Sequence, residues 1–501
     1  MKLLRPGSLR RCLGSLSGSA ATTPRSSNSH QWLQSSIAHR GVSPRSRRGY
    51  ATVSAADLHF GQPVHETHPH LLKPGEITPG ITAQEYADRR ARLAMSLPRA
   101  GDVAVLAAAD LKYRSGAVFY PFRQESNFLY LTGFAEPDSM AVIQRTGDKP
   151  GDYAFHLLCR PKDPKTEQWS GPWSGVDAAR DVFNADEAGD ISRVEALLPP
   201  LLRGAGKVLT DIELSRGGRP TKFAEMLRTA NRAASTAPLQ PVVNALRVVK
   251  SPAEIANMRR AGRLSGRAIT DAMRRPWRTE KDLHAYLDYA FTSAGCDGPA
   301  YVPVVAGGPR ANMIHYVQNS RALDPTELVL VDAGGEYGTY VSDITRTWPA
   351  SGRFTPAQRD LYEAVLRVQR TGVALCREAA GMSLDAVHRV TEETLRDQLT
   401  RLGFDLSARG SLDALFPHHV GHYVGLDVHD CPGFPRSDPL RAGYCVTVEP
   451  GVYVPDDERW PAAFRGMGVR IEDSVCVDDD SYIVLTAEAV KEVDDIEALR
   501  D

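Results

Sequence analysis

The pattern of apolar and polar positions separates a globular body, which begins near Thr82, from the segment before it. Residues 83–97 carry apolar side chains at helical spacing, and residues 102–109 form a short, almost continuous apolar run. The first pattern predicts a helix and the second predicts a buried strand. Predicted strands and helices then alternate to about residue 245, so we expect an α/β domain at 81–246.

A second domain is predicted at 247–501, and it opens with a long helix. Residues 251–254 (Ser-Pro-Ala-Glu) match a capping box with proline at the first helical position, and an apolar-periodic stretch follows. Residues 355–358 (Thr-Pro-Ala-Gln) begin a similar stretch. Each predicted helix precedes a pair of strands that carry carboxylates, which is the order expected of an internal duplication.

The composition is that of a soluble protein with room for more than one domain. Of the 501 residues, 42% are hydrophobic and 24% are charged. No run of 18 or more apolar residues occurs, so no membrane span is predicted. The seven cysteines are scattered without a CxxC pair, which predicts reduced, buried thiols rather than a disulfide framework or a thiolate zinc site.

The first 50 residues are predicted to be a mitochondrial transit peptide. They contain nine lysines or arginines and no acid, and the first acid of the chain is Asp57. Transit peptides are rich in arginine and serine and poor in acids, whereas a secretory signal needs an apolar core that this segment lacks. A disordered basic tail is the alternative. We expect a mitochondrial protein, in the matrix or at the inner membrane.

The end of this leader has the pattern of a processing site. Residues 47–52 read Arg-Arg-Gly-Tyr-Ala-Thr, which resembles the signal for cleavage two residues after an arginine. Such a cut would leave Tyr50 as the first residue. Residues 51–80 follow, with four histidines (His59, His65, His68 and His70) among prolines and glycines. Their irregular spacing predicts a solvated linker rather than a metal-binding tract.

The body of the chain is acidic. The whole chain has a formal charge of −1 and the leader carries +9, so the remainder carries about −10. Binding of nucleic acid needs clustered positive charge to meet the phosphates. We therefore expect no nucleic acid as the main partner.

The first chemically distinctive element is a pair of aspartates. Two apolar, β-rich runs at 328–332 and 343–348 flank a glycine-rich turn, which predicts a hairpin. Asp332 and Asp343 lie on these runs, where their short side chains can converge across the two strands. Two turn aspartates without a metal are the alternative interpretation.

The second element is a histidine cluster. His418, His419, His422 and His429 lie within twelve residues, which is more than a core or a surface usually needs. A single histidine would more often be structural, but neutral imidazole is also a common metal ligand. The cluster therefore predicts a site.

The third element is a pair of glutamates in apolar strands. Glu449 and Glu472 each interrupt an apolar, β-branched run. A buried, isolated carboxylate is costly and requires a partner charge or a metal. The alternative to a metal is a structural ion pair between Arg470 and one of the two glutamates.

Together, the three elements supply four carboxylates and at least one imidazole. So much negative charge at one place requires compensating cations, and two divalent ions would balance it. Oxygen-rich ligation with one imidazole favours Mn²⁺, or alternatively Co²⁺ or Fe²⁺, over a thiolate-type zinc site. Two such ions, roughly 3.5–4 Å apart, can share a water and lower its pKa to ~7.

Residues 250–490 resemble the pita-bread metallopeptidases, and within them the aminopeptidase P branch. The resemblance rests on the order of the motifs above and extends to residues 246–254 and to 122–134 (Phe-Arg-Gln-Glu-Ser-Asn-Phe-Leu-Tyr-Leu-Thr-Gly-Phe). It implies an α/β (α+β) fold, with a pita-bread catalytic domain after a creatinase-like α/β N-terminal domain. His419 departs from the pattern, since many relatives have glycine there, but the ligand spacing is intact.

The resemblance also implies roles for individual residues. Five residues would bind two Mn²⁺ ions: Asp332, Asp343, His422, Glu449 and Glu472. Glu449 would also accept a proton from the attacking water, and His315 or His429 would stabilise the developing oxyanion. His418 would assist catalysis, and Tyr453 and Arg470 would help to position the substrate.

The implied activity is removal of one residue from the N-terminus of a peptide or protein. The mitochondrial members of this branch include enzymes that trim a bulky residue after the processing peptidase has removed a presequence. Alternatives are a general Xaa-Pro aminopeptidase, a prolidase and a non-catalytic pita-bread binding module. The family also implies a homo-oligomer.

Overall fold

The computed structural model describes residues 59–212, 222–230 and 234–501. The predicted transit peptide, residues 1–50, lies outside these ranges, as do the proposed processing site at Tyr50 and residues 51–58 of the predicted linker. Within the described ranges, none of the helices has the length and apolar character that a membrane crossing requires.

The N-terminal part of the body is built on one mixed sheet. Its elements in chain order are β1 (Glu76–Thr78), β2 (Ile81–Thr82), α1 (Ala83–Ser96), β3 (Val103–Ala107), β4 (Tyr113–Ser115), β5 (Val118–Phe119), α2 (Ser126–Thr132), β6 (Met140–Arg145), β7 (Tyr153–Cys159), α3 (Pro164–Ser170), α4 (Gly175–Asp181), β8 (Glu187–Asp190), α5 (Val194–Leu202), β9 (Lys207–Thr210), α6 (Lys222–Ala230), β10 (Ser235–Ala237) and α7 (Gln240–Arg247). Six strands form a sheet in the order β10-β9-β3-β6-β7-β8. The pairs β3–β6 and β6–β7 are antiparallel, and the other three pairs are parallel.

The predicted elements of this part are confirmed with small changes. The helix predicted over 83–97 is α1, which begins at a Thr82 N-cap. The strand predicted over 102–109 is β3, which is shorter at both ends. Asp102 falls outside the strand because its carboxylate accepts the backbone N–H groups of Gly206 and Lys207. These bonds hold the start of β3 beside β9.

The predicted linker differs from a free, solvated segment over the residues that the structure describes. Gln62 is buried, donates to the carbonyl of Gly133 and accepts from the backbone N–H of Ala135. Val64 and Leu72 are also buried. The segment therefore packs on the N-terminal sheet domain, although prolines and glycines gave it the composition of a linker.

The C-terminal part repeats one order of elements twice. The first copy comprises α8 (Pro252–Met273), α9 (Glu280–Ser293), β11 (Gly298–Pro299), β12 (Val304–Gly307), β13 (Leu328–Asp332), β14 (Gly335–Tyr337), β15 (Tyr340–Val341) and β16 (Thr345–Pro349). The second comprises α10 (Pro356–Leu375), α11 (Leu384–Arg401), α12 (Ser411–Leu415), β17 (Cys445–Val448), β18 (Gly451–Tyr453), β19 (Gly468–Arg470), β20 (Asp473–Val477) and β21 (Tyr482–Val484), before the final α13 (Val493–Ala498). Each copy has two long helices and then strands that carry two carboxylates, as the sequence pattern suggested.

Both predicted capping boxes are present. Ser251 and Glu254 bond reciprocally at the start of α8, and Thr355 and Gln358 do so at the start of α10. The backbone N–H groups at a helix start have no partner within the helix, so these side chains fix where each helix begins. The helices then cover the strands and build one core around Trp348, Leu361 and Val446.

A second apolar cluster crosses from the N-terminal part to the C-terminal part. It contains Phe128 and Leu131 of α2 together with Tyr340, Val424 and Leu426, all of them buried. The two parts are therefore joined by a shared core as well as by the chain.

We predict that Ser251→Ala lowers the free energy of unfolding by about 1 kcal/mol. The substitution removes the oxygen that accepts the Glu254 N–H and that donates to Glu85. Urea unfolding monitored by circular dichroism measures the change. Ser293→Ala, at the exposed C-terminal end of α9, is the matched control and should be close to neutral. Equal effects of the two substitutions would contradict the role of the cap.

Candidate metal centre

Each predicted carboxylate pair lies where an antiparallel ladder is interrupted. Asp332 ends β13 opposite Thr345, and β14 pairs with β15 in the same register, so Asp343 falls in the gap between the two ribbons. In the second copy, Val448 pairs with Asp473 and Gly451 pairs with Arg470. The register between these pairs places Glu449 opposite Glu472. The hairpin predicted for the aspartates is thus correct but is divided into two ribbons.

A close backbone contact at a glycine lies near each interruption. A Cβ on Gly334 would lie 1.8 Å from the carbonyl oxygen of Ser342, and a Cβ on Gly421 would lie 2.0 Å from that of Thr447. Only glycine allows these approaches. Gly421 directly precedes His422, so the contact brings this histidine against the end of β17.

The imidazole of His422 faces two of the carboxylates. Its Nε2 atom lies 3.5 Å from Asp343 Oδ2 and 3.5 Å from Glu449 Oε1. Its Nδ1 atom lies 3.0 Å from the carbonyl oxygen of Tyr423. A proton on Nδ1 would satisfy that carbonyl and leave the Nε2 lone pair directed at the carboxylates, which is the arrangement of a histidine ligand.

Asp343, His422 and Glu472 form a group that could hold a metal ion. One ligand atom of each lies within 4.8 Å of the others. Glu472 is held from behind by the hydroxyl of Thr345, which donates to its Oε2 atom at 2.7 Å. Three side chains from three separate segments thus converge on one point.

Tyr301 joins the two aspartates, and the sequence analysis did not find it. Its hydroxyl lies 2.6 Å from Asp332 Oδ1 and 2.5 Å from Asp343 Oδ1. A hydroxyl has one hydrogen, so it can donate to only one of these carboxylates. The second short contact requires another proton or a cation. Tyr301 lies in the loop between β11 and β12, where no periodic or charged pattern marks it.

Arg470 and Tyr453 are buried, and their hydrogen bonds connect Asp332 to His418. Arg470 is 1% exposed and forms an ion pair with Asp332 at 2.5 Å. The sequence analysis had offered an ion pair of Arg470 with Glu449 or Glu472 as the alternative to a metal, but the partner in the structure is Asp332. The Arg470 guanidinium also donates to the Tyr453 hydroxyl at 2.7 Å, which in turn lies 2.8 Å from His418 Nε2. These hydrogen bonds go to protein groups, and contact of Tyr453 or Arg470 with substrate stays a prediction.

This chain of bonds fixes the tautomer of His418. Arginine is only a donor, so the Tyr453 hydroxyl accepts from Arg470 and donates its hydrogen to His418 Nε2. His418 Nδ1 then donates to the carbonyl of His419 at 2.9 Å. Burial and the charge of Arg470 lower the pKa of His418 to about 3. The ring is therefore neutral at physiological pH.

A cavity of about 650 Å³ opens beside these residues. His315, His418, His422 and His429 line it, and of the four predicted carboxylate ligands only Glu449 does so. The rings of His422 and His429 are 4.3 Å apart. Five of the predicted site residues therefore line one cavity, and its lining does not include Asp332, Asp343, Glu472, Tyr453 or Arg470.

His419, the departure from the family pattern, borders the same cavity. Its ring stacks on that of His388 at 4.4 Å and approaches Asp385 at 3.3 Å. Burial lowers the pKa of both imidazoles. His419 thus packs on α11 rather than facing the carboxylates.

The pKa values reflect the crowding of negative charge. Burial raises the pKa of Glu449 to about 7, and burial together with Asp343 raises the pKa of Glu472 well above its usual range. Burial lowers the pKa of His422, but the hydrogen bond with Asp343 and the charge of Glu449 outweigh that effect. Together they raise the pKa of His422 to about 9. In the folded protein, each of these carboxylates disfavours the ionised form of its neighbours. Divalent cations would relieve that repulsion. Oxygen donors with one imidazole fit such a cation.

Two family profiles match the chain. "Metallopeptidase family M24" matches residues 256–479, and "Aminopeptidase P, N-terminal domain" matches residues 86–209. The chain is 43% identical over 452 residues to "Intermediate cleaving peptidase 55" of Saccharomyces cerevisiae, covering 88% of each chain. The chain belongs to metallopeptidase family M24. It is a metallo-aminopeptidase with the pita-bread fold predicted from the sequence.

Other relatives and a solved structure agree. The chain is 40% identical over 462 residues to "Xaa-Pro aminopeptidase 3" of Homo sapiens, with 88% and 90% of the two chains covered. It is 36% identical over 456 residues to "Intermediate cleaving peptidase 55, mitochondrial" of Arabidopsis thaliana, with 91% and 90% covered. The crystal structure of the yeast protein without its N-terminal 58 residues aligns with a TM-score of 0.80 at 41% identity, over 85% of this chain and 99% of that one.

We predict that, in the presence of a chelator, Glu449→Gln makes the protein more stable at pH 8 by roughly 3 kcal/mol. The pKa of Glu449 rises from 4.5 to about 7 on folding. Folded protein therefore binds this proton more tightly than unfolded protein, and stability falls as the pH rises from about 4.5 to about 7. Glutamine cannot ionise, so the variant should not show this fall.

Urea unfolding at pH 5 and pH 8 measures the difference between the two proteins, which should shrink at the lower pH. Glu458→Gln, at an exposed position, is the control and should follow the unmodified protein. A Glu449→Gln variant that is no more stable at pH 8 would contradict the charge crowding.

Proposed function

We propose that this metallo-aminopeptidase removes a single residue from the N-terminus of imported mitochondrial proteins, after their presequences have been cut off. The observation that carries the proposal is the convergence of four carboxylates and an imidazole next to a histidine-lined cavity, which Glu449 borders. Relatives that bear the names of intermediate cleaving peptidases, one of them called mitochondrial, support this substrate class. The acid-free leader of this chain supports the mitochondrial location.

The proposed metal ligands are Asp332, Asp343, His422, Glu449 and Glu472, for two Mn²⁺ ions, with Co²⁺ or Fe²⁺ as alternatives. Such ions, when bound, would lower the pKa of a water to ~7 and so make it a nucleophile. Tyr301 keeps the two aspartates together, and Arg470 balances part of the charge of Asp332. Thr345 donates a hydrogen bond to Glu472 and so orients this carboxylate toward the other proposed ligands.

Glu449 is the proposed proton acceptor. It is the carboxylate of the four that lines the cavity, so it is the one that reaches the substrate side of the centre. There it takes the proton of the attacking water and can pass it to the leaving amine. His315 and His429 line the same cavity, and they are the proposed donors to the oxygen of the cleaved carbonyl.

His418 has a supporting role in this proposal. In the tautomer fixed by Tyr453, the Nδ1 proton of His418 is donated to the backbone. The ring is therefore held in position, through Tyr453 and Arg470, and is not a proton carrier in this proposal. The chain from Arg470 to His418 connects the base of the centre to the cavity wall. We propose that this chain keeps the wall aligned with the aspartates.

A general Xaa-Pro aminopeptidase is the second candidate function, supported by the human relative of that name. Both functions use the same centre and differ in the residue that follows the cleaved bond. A homo-oligomer is proposed from the family resemblance. Peptide and protein N-termini are the proposed partners in either case.

We predict that purified residues 51–501 with Mn²⁺ remove Tyr from a peptide that begins Tyr-Ala-Thr-Val, the sequence at Tyr50. A second peptide that begins Arg-Pro-Pro tests the alternative, and mass spectrometry follows the loss of one residue. Removal of Tyr that a chelator abolishes is the expected result. Cleavage of only the proline peptide would make the protein a general Xaa-Pro aminopeptidase, and cleavage of neither would favour a binding module.

We predict that Asp343→Ala abolishes the activity even after metal stripping and return of Mn²⁺. Asp343 contacts both Tyr301 and His422, so its loss removes a ligand and a partner of the imidazole. Isothermal titration of Mn²⁺ should also show at least one site lost. Asp360→Ala, on the exposed face of α10, is the control. Full activity of the Asp343 variant would refute the proposed ligand set.

A further inference from the structure

The run 122–134, which carries part of the family resemblance, contacts the catalytic part of the chain. It contains α2, which begins at Ser126, and the N-cap is Glu125, whose carboxylate accepts the N–H groups of Asn127 and Phe128. Glu125 thereby fixes the orientation of the first turn. Arg123, Ser126 and Asn127, at or next to this turn, all bond to residues of the second domain or to Arg247.

Two of these side chains hold the loop that carries His429. The hydroxyl of Ser126 donates to Asp427 Oδ1 at 2.6 Å. The guanidinium of Arg123 donates to the carbonyl oxygen of Leu426. Leu426 and Asp427 precede His429 by three and two residues, so both contacts act on the backbone that leads to this histidine.

Arg123 also contacts the ribbon between the two aspartates. Its Nε atom donates to Glu336 Oε2 at 2.8 Å, and Glu336 is the central residue of β14. One arginine of the N-terminal domain therefore joins the aspartate ribbon to the His429 loop. The side chain of Arg123 thus adds to the direct hydrogen bond between these elements, which runs from the backbone N–H of Val341 to the carbonyl oxygen of Gly425.

Asn127 acts on the same loop through Arg247. The Arg247 guanidinium donates to Asn127 Oδ1 at 2.7 Å, to Asp427 Oδ2 at 2.7 Å and to Asp430 Oδ1. Lys250 Nζ completes the group at 3.0 Å from Asp430 Oδ2. Arg247, Lys250 and Asp430 are all buried.

The imidazole of His429 is exposed at the cavity and packs against the ring of His422, 4.3 Å away. Within the described part of the chain, no hydrogen bond or ion pair holds this side chain. Its position is set by its neighbours, since Asp427 and Asp430 are both fixed by buried or partly buried charges. The hydrogen bonds of Arg123 and Ser126 to Leu426 and Asp427 add further restraints on the backbone just before His429. Loss of one of these bonds should therefore let the loop, and His429 with it, move from this position.

We propose that Arg123, Ser126 and Asn127 form an interdomain clamp that positions His429 for the reaction. This inference rests on the proposed function in one respect, since it takes His429 to act on the substrate. Ser126 and its neighbours touch neither the cavity nor the metal ligands, so they are positioning residues. The N-terminal domain thus contributes to catalysis by holding one loop of its neighbour.

A double-mutant cycle between Ser126 and His429 tests the clamp. Ser126→Ala should lower kcat/KM for the Tyr-Ala-Thr-Val peptide by roughly tenfold to a hundredfold, since a small displacement of a catalytic group has effects of that size. In the His429→Ala background, Ser126→Ala should cause little further loss, because the residue acts through His429. Ser139→Ala, at a buried serine of the N-terminal domain whose hydroxyl donates to the Pro137 carbonyl, is the matched control and should retain full activity.

Arg123→Met is the second variant, with Arg145→Met as its control, because Arg145 bonds within the N-terminal domain. Equal losses from Ser126→Ala in both backgrounds would overturn the proposal, and so would full activity of Ser126→Ala. Mn²⁺ affinity, measured by titration, should be unchanged in the clamp variants. A matching loss of Mn²⁺ affinity would also overturn the clamp, since it would place the effect at the metal ligands.

Amide hydrogen exchange gives a readout that does not need activity. Exchange of the peptide that spans 425–431 should increase in Ser126→Ala and Arg123→Met but not in Ser139→Ala. If the unmodified protein cleaves neither test peptide, the proposed function fails, and the exchange measurement still decides whether the clamp holds the loop. Unchanged exchange in both clamp variants would overturn the proposal in either case.

Discussion

Repulsion among four carboxylates at one place is the constraint on which the rest of this structure depends. Burial in a medium of low polarity makes each charge more costly, and proximity adds to that cost. The chain meets the cost with one buried arginine, a bridging tyrosine hydroxyl and an imidazole, at Arg470, Tyr301 and His422. With all four carboxylates ionised, these partners leave a net negative centre, which is the electrostatic condition for holding divalent cations.

The strands that deliver these acids are themselves fixed by a buried charge network. Arg346 lies next to Thr345, and its guanidinium donates to the carbonyl of Glu472 and to Asp473 at 2.8 Å. Lys491 adds a second cation beside Asp473. The backbone on either side of Glu472 is thus held by full charges, so the glutamate keeps its direction although its own side chain has few bonds.

The sequence analysis predicted the elements whose signals are local. The two capping boxes, the strand pairs and the five proposed ligands all come from short patterns of residue types, and the structure brings those five side chains together. The pattern could not identify Tyr301, because its partners are 31 and 42 residues away. It also gave residues 59–80 the character of a linker, because burial of Gln62 and Leu72 depends on a surface supplied by later residues. It also did not show that the aspartate hairpin is divided into two ribbons, one of which pairs with the more distant strand β11.

The apolar cluster that joins α2 to Tyr340, Val424 and Leu426 has a consequence for how the protein folds. Interfaces between domains are usually polar enough to let the domains move as separate bodies. Here each part leaves aromatic and aliphatic side chains that only the other part covers. Two regions that match separate family profiles therefore form a single cooperative unit, and heat or denaturant should melt them in one transition.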